Sequence, residues 1–506
     1  MNKGKRKLLF VFLAICMIMA TVTVGSGRAY DVNLNSEILS PDRTSSTSGK
    51  SKDSVILASD GQGKKDIYGN LVYSVSDEDT EADSFDVSED VNYNSNSGID
   101  GQLLTDSSEE IDENVNQDMN QDSDQDSGPN ALDYMDGSQS ESVSESVSES
   151  VSEENDTNKS QAEKILDAMT LEEKVAQLFV VTPDALTGAV GVTMAGETTK
   201  TAIDERPVGG IIYMADNLIN PSQVQKMLSN TNTYSEERVG LPMMLCVDEE
   251  GGTVARIAGC GRFIVEDVGN MSTIGETGTV DDAHRVGNTI GSYMSDLGFN
   301  VNFAPVADVL TNSENSIVKY RSFGSDVNSV SDMAIAVAEG LKEEGIEATF
   351  KHFPGHGATA GDTHLGAAFT TKTKDELMEV ELVPFQKAID YGAKFIMVSH
   401  ISVPNITGHD TPASLSPEMI DGILRGDMGY KGVVITDAMD MGAVSSKYTS
   451  DVAAVMAIQA GADMLLMPED FDLAYQGLMD ALDAGEISEE RIDESVLRII
   501  NAKLEL

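Results

Sequence analysis

From Ser160 to the end, the chain repeats one pattern: a short apolar, β-branched run, then a longer amphipathic stretch and a turn. Eight runs stand out: VAQLFVV (175–181), VGGIIYM (208–214), PMMLCVD (242–248), FNVNFAPVADV (299–309), ATFKHF (348–353), KFIMVSH (394–400), GVVITDA (432–438) and ADMLLMP (462–468). Runs apolar at nearly every position are buried on both faces, which calls for parallel pairing with helical crossovers. The stretches between them, such as SQVQKMLSNTNTYSEE, DAHRVGNTIGSYMSDLG, VSDMAIAVAEGLKEEG and KDELMEVELVPFQKAIDYG, carry helical periodicity, and several close on Gly. Eight such units predict an α/β fold, a (β/α)8 TIM-type barrel forming a single domain over residues 159–506. A doubly wound open sheet is the alternative. The polar residues favour the barrel. Asp248 and Glu249, Asp308, Lys351 and His352, His400, and Asp437 stand at the C-terminal ends of different runs. A closed barrel gathers those ends at one mouth, whereas an open sheet spreads them along an edge.

Ahead of residue 159 the composition changes. Residues 1–30 contain five bases and no acid, and MNKGKRK is followed by an apolar run, Leu8 to Val24, and then small residues. This is a secretory signal pattern over residues 1–29, with cleavage near Ala29. A run of about 17 apolar residues also reaches the lower limit of a membrane span, so a retained anchor is the alternative. Apolar residues continue after Cys16, which argues against a lipidated cysteine. Residues 31–160 carry 32 acids against six bases, with no Lys or Arg between Lys65 and Lys159. With repeats such as SESVSESVSESVSEE and few large apolar side chains, residues 30–158 are expected to be a disordered acidic linker. It would serve as a spacer from a membrane or wall, or only as a solubilising tail. The net charge of −51 disfavours nucleic acid, which needs clustered Lys and Arg. Cys246 and Cys260 are expected as free thiols; one disulfide between them would not define the fold.

Asp437, in GVVITDAMDMGAV, ends a strand and should point into the mouth with restricted motion. A strand-terminal Asp also serves as a helix N-cap, a role for which Asp440 is the better candidate. The chain has six histidines, and three of them (His352, His356 and His364) fall within KHFPGHGATAGDTHLG, residues 351–366. His352, still on the strand, should be fixed and inward. Four glycines should keep the following loop free of regular structure, with His364 at its far end. Asp362 is close enough to bond one imidazole nitrogen, raise its basicity and orient it for proton transfer. Three His and an Asp are also zinc ligands in other settings. The chain lacks HxH and HExxH spacing, and a glycine-rich loop is a poor ligand frame, so no metal is expected.

VDEEGGTVARI, FAPVADV, YRSFGSD, KHFPGHGATAGDTH and ITDAMDMGA occur in this order at the strand ends. Together they resemble family 3 glycoside hydrolases, specifically the β-N-acetylglucosaminidase branch, over nearly all of residues 160–506. The resemblance implies that Asp437 is the nucleophile, His364 the acid/base and Asp362 its partner in a dyad. It also implies sugar-binding roles for Asp248, Arg256, Arg321, Lys351 and His352, and no cofactor. Thr253 stands where the family often has Arg after EGG, the dyad reads DTH rather than DSH, and His356 receives no role. The barrel ends with RIDESVLRIINAKL and the chain at Leu506. The expectation is therefore that no second domain supplies a glutamate acid, as in many family 3 β-glucosidases, which leaves His364. The implied activity is a retaining exo-β-N-acetylglucosaminidase acting on peptidoglycan fragments or chitooligosaccharides; from the signal pattern it is expected to be secreted or cell-surface, in association with the cell wall or a membrane surface. The alternatives are another family 3 β-glycosidase, a glycoside phosphorylase, a metal-dependent hydrolase, or a non-catalytic glycan-binding surface protein.

Overall fold

In the computed structural model the described residues are 159–506, apart from Ala360 and Leu365, together with a two-residue antiparallel ladder, Lys64–Lys65 against Leu71–Val72. The chain divides into two units, Met1–Asp136, which holds that ladder, and Gly137–Leu506. The expected signal peptide (1–29) and the rest of the expected linker (30–158) lie outside the described residues. Among the described residues no helix is long and apolar enough to cross a membrane.

Eight short strands make the second unit's sheet: β1 Phe179–Val181, β2 Gly210–Ile212, β3 Met244–Val247, β4 Val301–Asn302, β5 Glu347–Phe353, β6 Phe395–Val398, β7 Val433–Thr436 and β8 Leu465–Leu466. Their order is β7-β6-β5-β4-β3-β2-β1-β8, and every pair is parallel. A parallel bridge between Ile435 and Met464 joins β7 to β8, and the Thr436 N–H donates to the Met464 carbonyl at 3.0 Å. The sheet therefore closes into a barrel, and the open-sheet alternative falls. Buried side chains on both faces of the strands explain their unbroken apolar character.

Most strands are shorter than their apolar runs, for local reasons. In 175–181 the first three residues finish a helix, Leu171–Gln177. Thr170 and Glu173 start it by capping each other's backbone N–H groups. In 299–309 only Val301–Asn302 pair as a strand, followed by one bridge, Val306 to Lys351. Pro305 has no N–H to give to a ladder. The stretch 374–392 is two helices, Lys374–Glu379 and Val383–Tyr391, rather than one. Pro384 lacks the N–H that would continue the first helix but fits the first turn of the second.

The crossover helices have strong end signals. The helix Pro221–Val239 is capped by the Asn220 side chain and stopped by Gly240 at φ 70°. The helices α1, Val280–Leu297, and α2, Val327–Glu343, meet backbone to backbone. A Cβ on Gly287 would lie 2.1 Å from the Val337 carbonyl oxygen, and one on Gly340 would lie 2.3 Å from that of His284. At the floor of the barrel Lys503 is buried, its Nζ donating to Gln177 Oε1 at 2.9 Å; burial lowers its pKa to about 7. The titratable clusters described next lie at the opposite end.

Candidate active site

The site begins with an irregularity in β5. Phe350 pairs with Ile396, but Phe353 pairs with Val398, so β5 carries one extra residue against β6. Neighbours on a regular strand point to opposite faces, and a bulge relaxes that alternation. Lys351 and His352, adjacent in sequence, consequently both reach into one buried network at the mouth. Lys351 Nζ lies 2.7 Å from Asp248 Oδ1 and 2.6 Å from Glu250 Oε1. Arg321 grips Glu250 with two parallel bonds of 2.7 Å, from Nε and a terminal nitrogen. That terminal nitrogen is also 3.2 Å from His352 Nε2. A guanidinium only donates, so His352 Nε2 accepts, and its Nδ1–H donates to Asp308 Oδ2 at 2.7 Å.

Mutual pairing keeps these groups charged despite burial. Burial alone would protonate Glu250, but Arg321 and Lys351 outweigh it and hold its pKa at about 2. Asp308 is likewise lowered, against burial, chiefly by His352. Burial opposes the charge on Lys351, yet Asp248 and Glu250 raise its pKa. Glu249 is turned away from this network. Its carboxylate accepts the N–H groups of Ile257 (2.8 Å) and Ala258 (2.9 Å) and the Tyr293 hydroxyl (2.9 Å). It thereby fixes the turn after half-buried Arg256, whose own N–H donates to the Asp248 carbonyl at 3.4 Å.

Asp437 follows β7, its N–H donating to the Val398 carbonyl at 2.8 Å and its Oδ1 accepting from Ala438 N–H at 2.9 Å. Burial favours its neutral form, but the imidazoles of His352, His400 and His364 outweigh that and lower its pKa to about 2. It is a desolvated carboxylate within electrostatic reach of three histidines. His400, itself buried, supports the peptide beside it, with Nε2 2.9 Å from the Ala438 carbonyl and Nδ1 2.7 Å from Ser414 Oγ. A carbonyl can only accept, so the His400 proton sits on Nε2.

His364 and Asp362 form the expected pair. His364 Nδ1 is 2.7 Å from Asp362 Oδ1, which also accepts the His364 N–H at 2.9 Å. Asp362 is lowered because these bonds outweigh its burial. The loop carrying them is docked on the segment after Asp437. Gly442 N–H donates to the His364 carbonyl at 3.3 Å, and Ala443 N–H donates to the Thr363 carbonyl at 3.0 Å. His364 and Asp437, far apart in the chain, thus come close enough to interact electrostatically.

Two expectations need correction. The loop is not free of regular structure, because His356–Ala358 form a 3-10 turn. Asp440 is no helix cap. The turn Gly442–Ser445 follows Met441 and has no side-chain cap, while desolvation and the nearby Asp437 charge push Asp440 up to about 6. Every sequence-derived site residue lies in the loops and strand ends of this mouth. The contacts above join Asp248, Lys351, Arg321 and His352 directly, and set Asp362 and His364 beside Asp437. Three contributors had no assigned role: Glu250, Asp308 and His400. For Glu250 a signal existed, since it lies two positions after Asp248 and so shares its side of an extended chain. Among the described residues no group of His, Cys, Asp or Glu is arranged to hold a metal ion.

Comparison with known proteins adds to this geometry. Residues 170–502 match the family model described as "Glycosyl hydrolase family 3 N terminal domain". The chain is 31% identical over 328 residues to beta-hexosaminidase A of Pseudoalteromonas piscicida, covering 60% of this chain and 54% of that protein. It is 32% identical over 342 residues to beta-hexosaminidase LpqI of Mycobacterium tuberculosis, covering 65% and 82% respectively. The chain therefore spans about half the length of the first relative and most of the second. Among solved structures, a family 3 β-N-acetylglucosaminidase from Paenibacillus sp. superposes with TM-score 0.63 at 36% identity, over 67% of this chain and 63% of that one.

Proposed function

The chain belongs to glycosyl hydrolase family 3, and on that premise we propose that it is a retaining exo-β-N-acetylglucosaminidase. One observation carries the reading: the loop bearing His364 and Asp362 is bonded to the segment that follows Asp437. An acid/base and a carboxylate nucleophile then face the same sugar.

In the first step a proton passes from His364 Nε2 to the glycosidic oxygen as the C1–O bond breaks. Asp437 attacks C1 from the opposite face and forms a glycosyl ester. In the second step His364 takes a proton from water, whose oxygen attacks C1 and expels Asp437. Two inversions give net retention. Asp362 orients the imidazole and stabilises its protonated form, which is present before the first transfer and restored by the second. Arg321, Lys351 and His352, with Asp248 and Arg256, bind the hydroxyl and acetamido groups of the terminal GlcNAc. Their mutual ion pairs keep them rigid before substrate arrives. No cofactor is required.

The substrates proposed are the terminal GlcNAc units of peptidoglycan fragments or chitooligosaccharides. The N-terminal sequence supports action outside the cytoplasm, on or near the cell wall, with residues 30–158 as a spacer. The test compares nitrophenyl-β-GlcNAc with nitrophenyl-β-glucoside, with and without phosphate, and assays His364→Ala on aryl β-GlcNAc donors of differing leaving-group ability. GlcNAc should be released preferentially and without phosphate stimulation. His364→Ala should lose ~10²-fold or more on poor leaving groups and far less on good ones. A glucoside preference would overturn the sugar assignment, phosphate acceleration would indicate phosphorolysis, and a uniform loss would remove the acid role.

A further inference from the structure

An acid carried on a loop works only if the loop returns to one position. We propose that His356 and Thr363 form the latch that sets His364 over the sugar, with His356 a positioning residue acting through Thr363. The proposal rests on the acid/base reading of His364.

Thr363 lies between two partly exposed side chains, Asp362 and His364, yet it is itself fully buried, as is His356. Its Oγ1 is 3.3 Å from His356 Nε2. The other ring nitrogen, Nδ1, is 3.0 Å from Thr359 Oγ1, and the Thr359 hydroxyl donates to the His356 carbonyl at 2.9 Å. Both ring nitrogens are thus held, Nδ1 by Thr359 and Nε2 by Thr363. Burial keeps the imidazole neutral, lowering its pKa to about 4 despite Asp308 nearby.

The latch is anchored at both ends. The His356 N–H donates to Asp308 Oδ1 at 2.6 Å, and the same carboxylate receives the His352 Nδ1–H. Asp308 thus holds a sugar-facing imidazole and the base of the latch together. Gly357 lets the turn sit against the loop that follows the preceding strand, β4, since a Cβ there would lie 1.9 Å from the Val309 carbonyl oxygen. On its far side the Thr363 carbonyl accepts the Ala443 N–H, six residues beyond Asp437. Thr363 thereby links the stem of the histidine loop to the loop that follows the nucleophile.

The test measures kcat/KM, which reports glycosylation, on aryl β-GlcNAc donors ranging from dinitrophenyl to methylphenyl. Thr363→Val removes the hydroxyl at nearly constant shape, and His356→Leu removes its partner. Both should lose ~10-fold or more on methylphenyl and less than ~3-fold on dinitrophenyl, where protonation matters little. Thr363→Ser, which keeps the hydroxyl, should recover most of the loss. Amide exchange at Ala443 should quicken in Thr363→Val while barrel-strand amides are unchanged. If Thr363→Val shows no loss, or a uniform one, while His364→Ala keeps its dependence on leaving group, the latch is wrong and the acid assignment stands. Uniform losses in His364→Ala would overturn both.

Discussion

Glu250 is the residue on which the charged side of the mouth depends. Its carboxylate holds the Arg321 fork with two bonds and Lys351 with a third. Glu250→Gln would leave two buried cations short of a counter-charge, which costs ~3–5 kcal/mol where a buried pair is broken. The variant should melt earlier, and kcat/KM should fall by up to ~10²-fold as Arg321 and Lys351 lose their placement. Unchanged kcat/KM would show that these cations do not bind the sugar. The roles proposed for Asp437, Asp362 and His364 rest on motifs that resemble those of the family. The roles of Glu250, Asp308 and His400 depend on partners brought together by the fold. Thr311 and Lys372 show the same limit: both bond buried Glu381, a grouping no spacing in the chain announces.

At the scale of elements, two helices pack through glycines rather than side chains. Gly287 and Gly340 let α1 and α2 touch, although each glycine costs a helix interior ~1 kcal/mol relative to Ala. Gly340→Ala should raise helix propensity yet lower stability, because the overpacking penalty of ~1–3 kcal/mol exceeds the gain. A lower melting temperature in a thermal scan supports this; a raised one would mean that the helices separate freely. These are also elements whose periodicity was plain in the sequence, with Gly298 and Gly345 marking their ends. Strand lengths were less legible. Apolar runs continue into caps and turns wherever the chain remains buried, as at Val175–Gln177, and periodicity cannot separate the two.

For the whole molecule, the polar residues at successive strand ends foretold a barrel, because only closure gives them a common destination. The docking of the histidine loop was not legible, since it rests on backbone bonds to Gly442 and Ala443 that no side-chain pattern encodes. The central claim is that this docking sets an acid on one face of a sugar and Asp437 on the other. The most direct test is to incubate the full chain with a fluorinated GlcNAc donor that slows ester hydrolysis, then digest it and sequence the labelled peptide by mass spectrometry. The account predicts one sugar per chain, attached to Asp437; a sugar on any other side chain contradicts it.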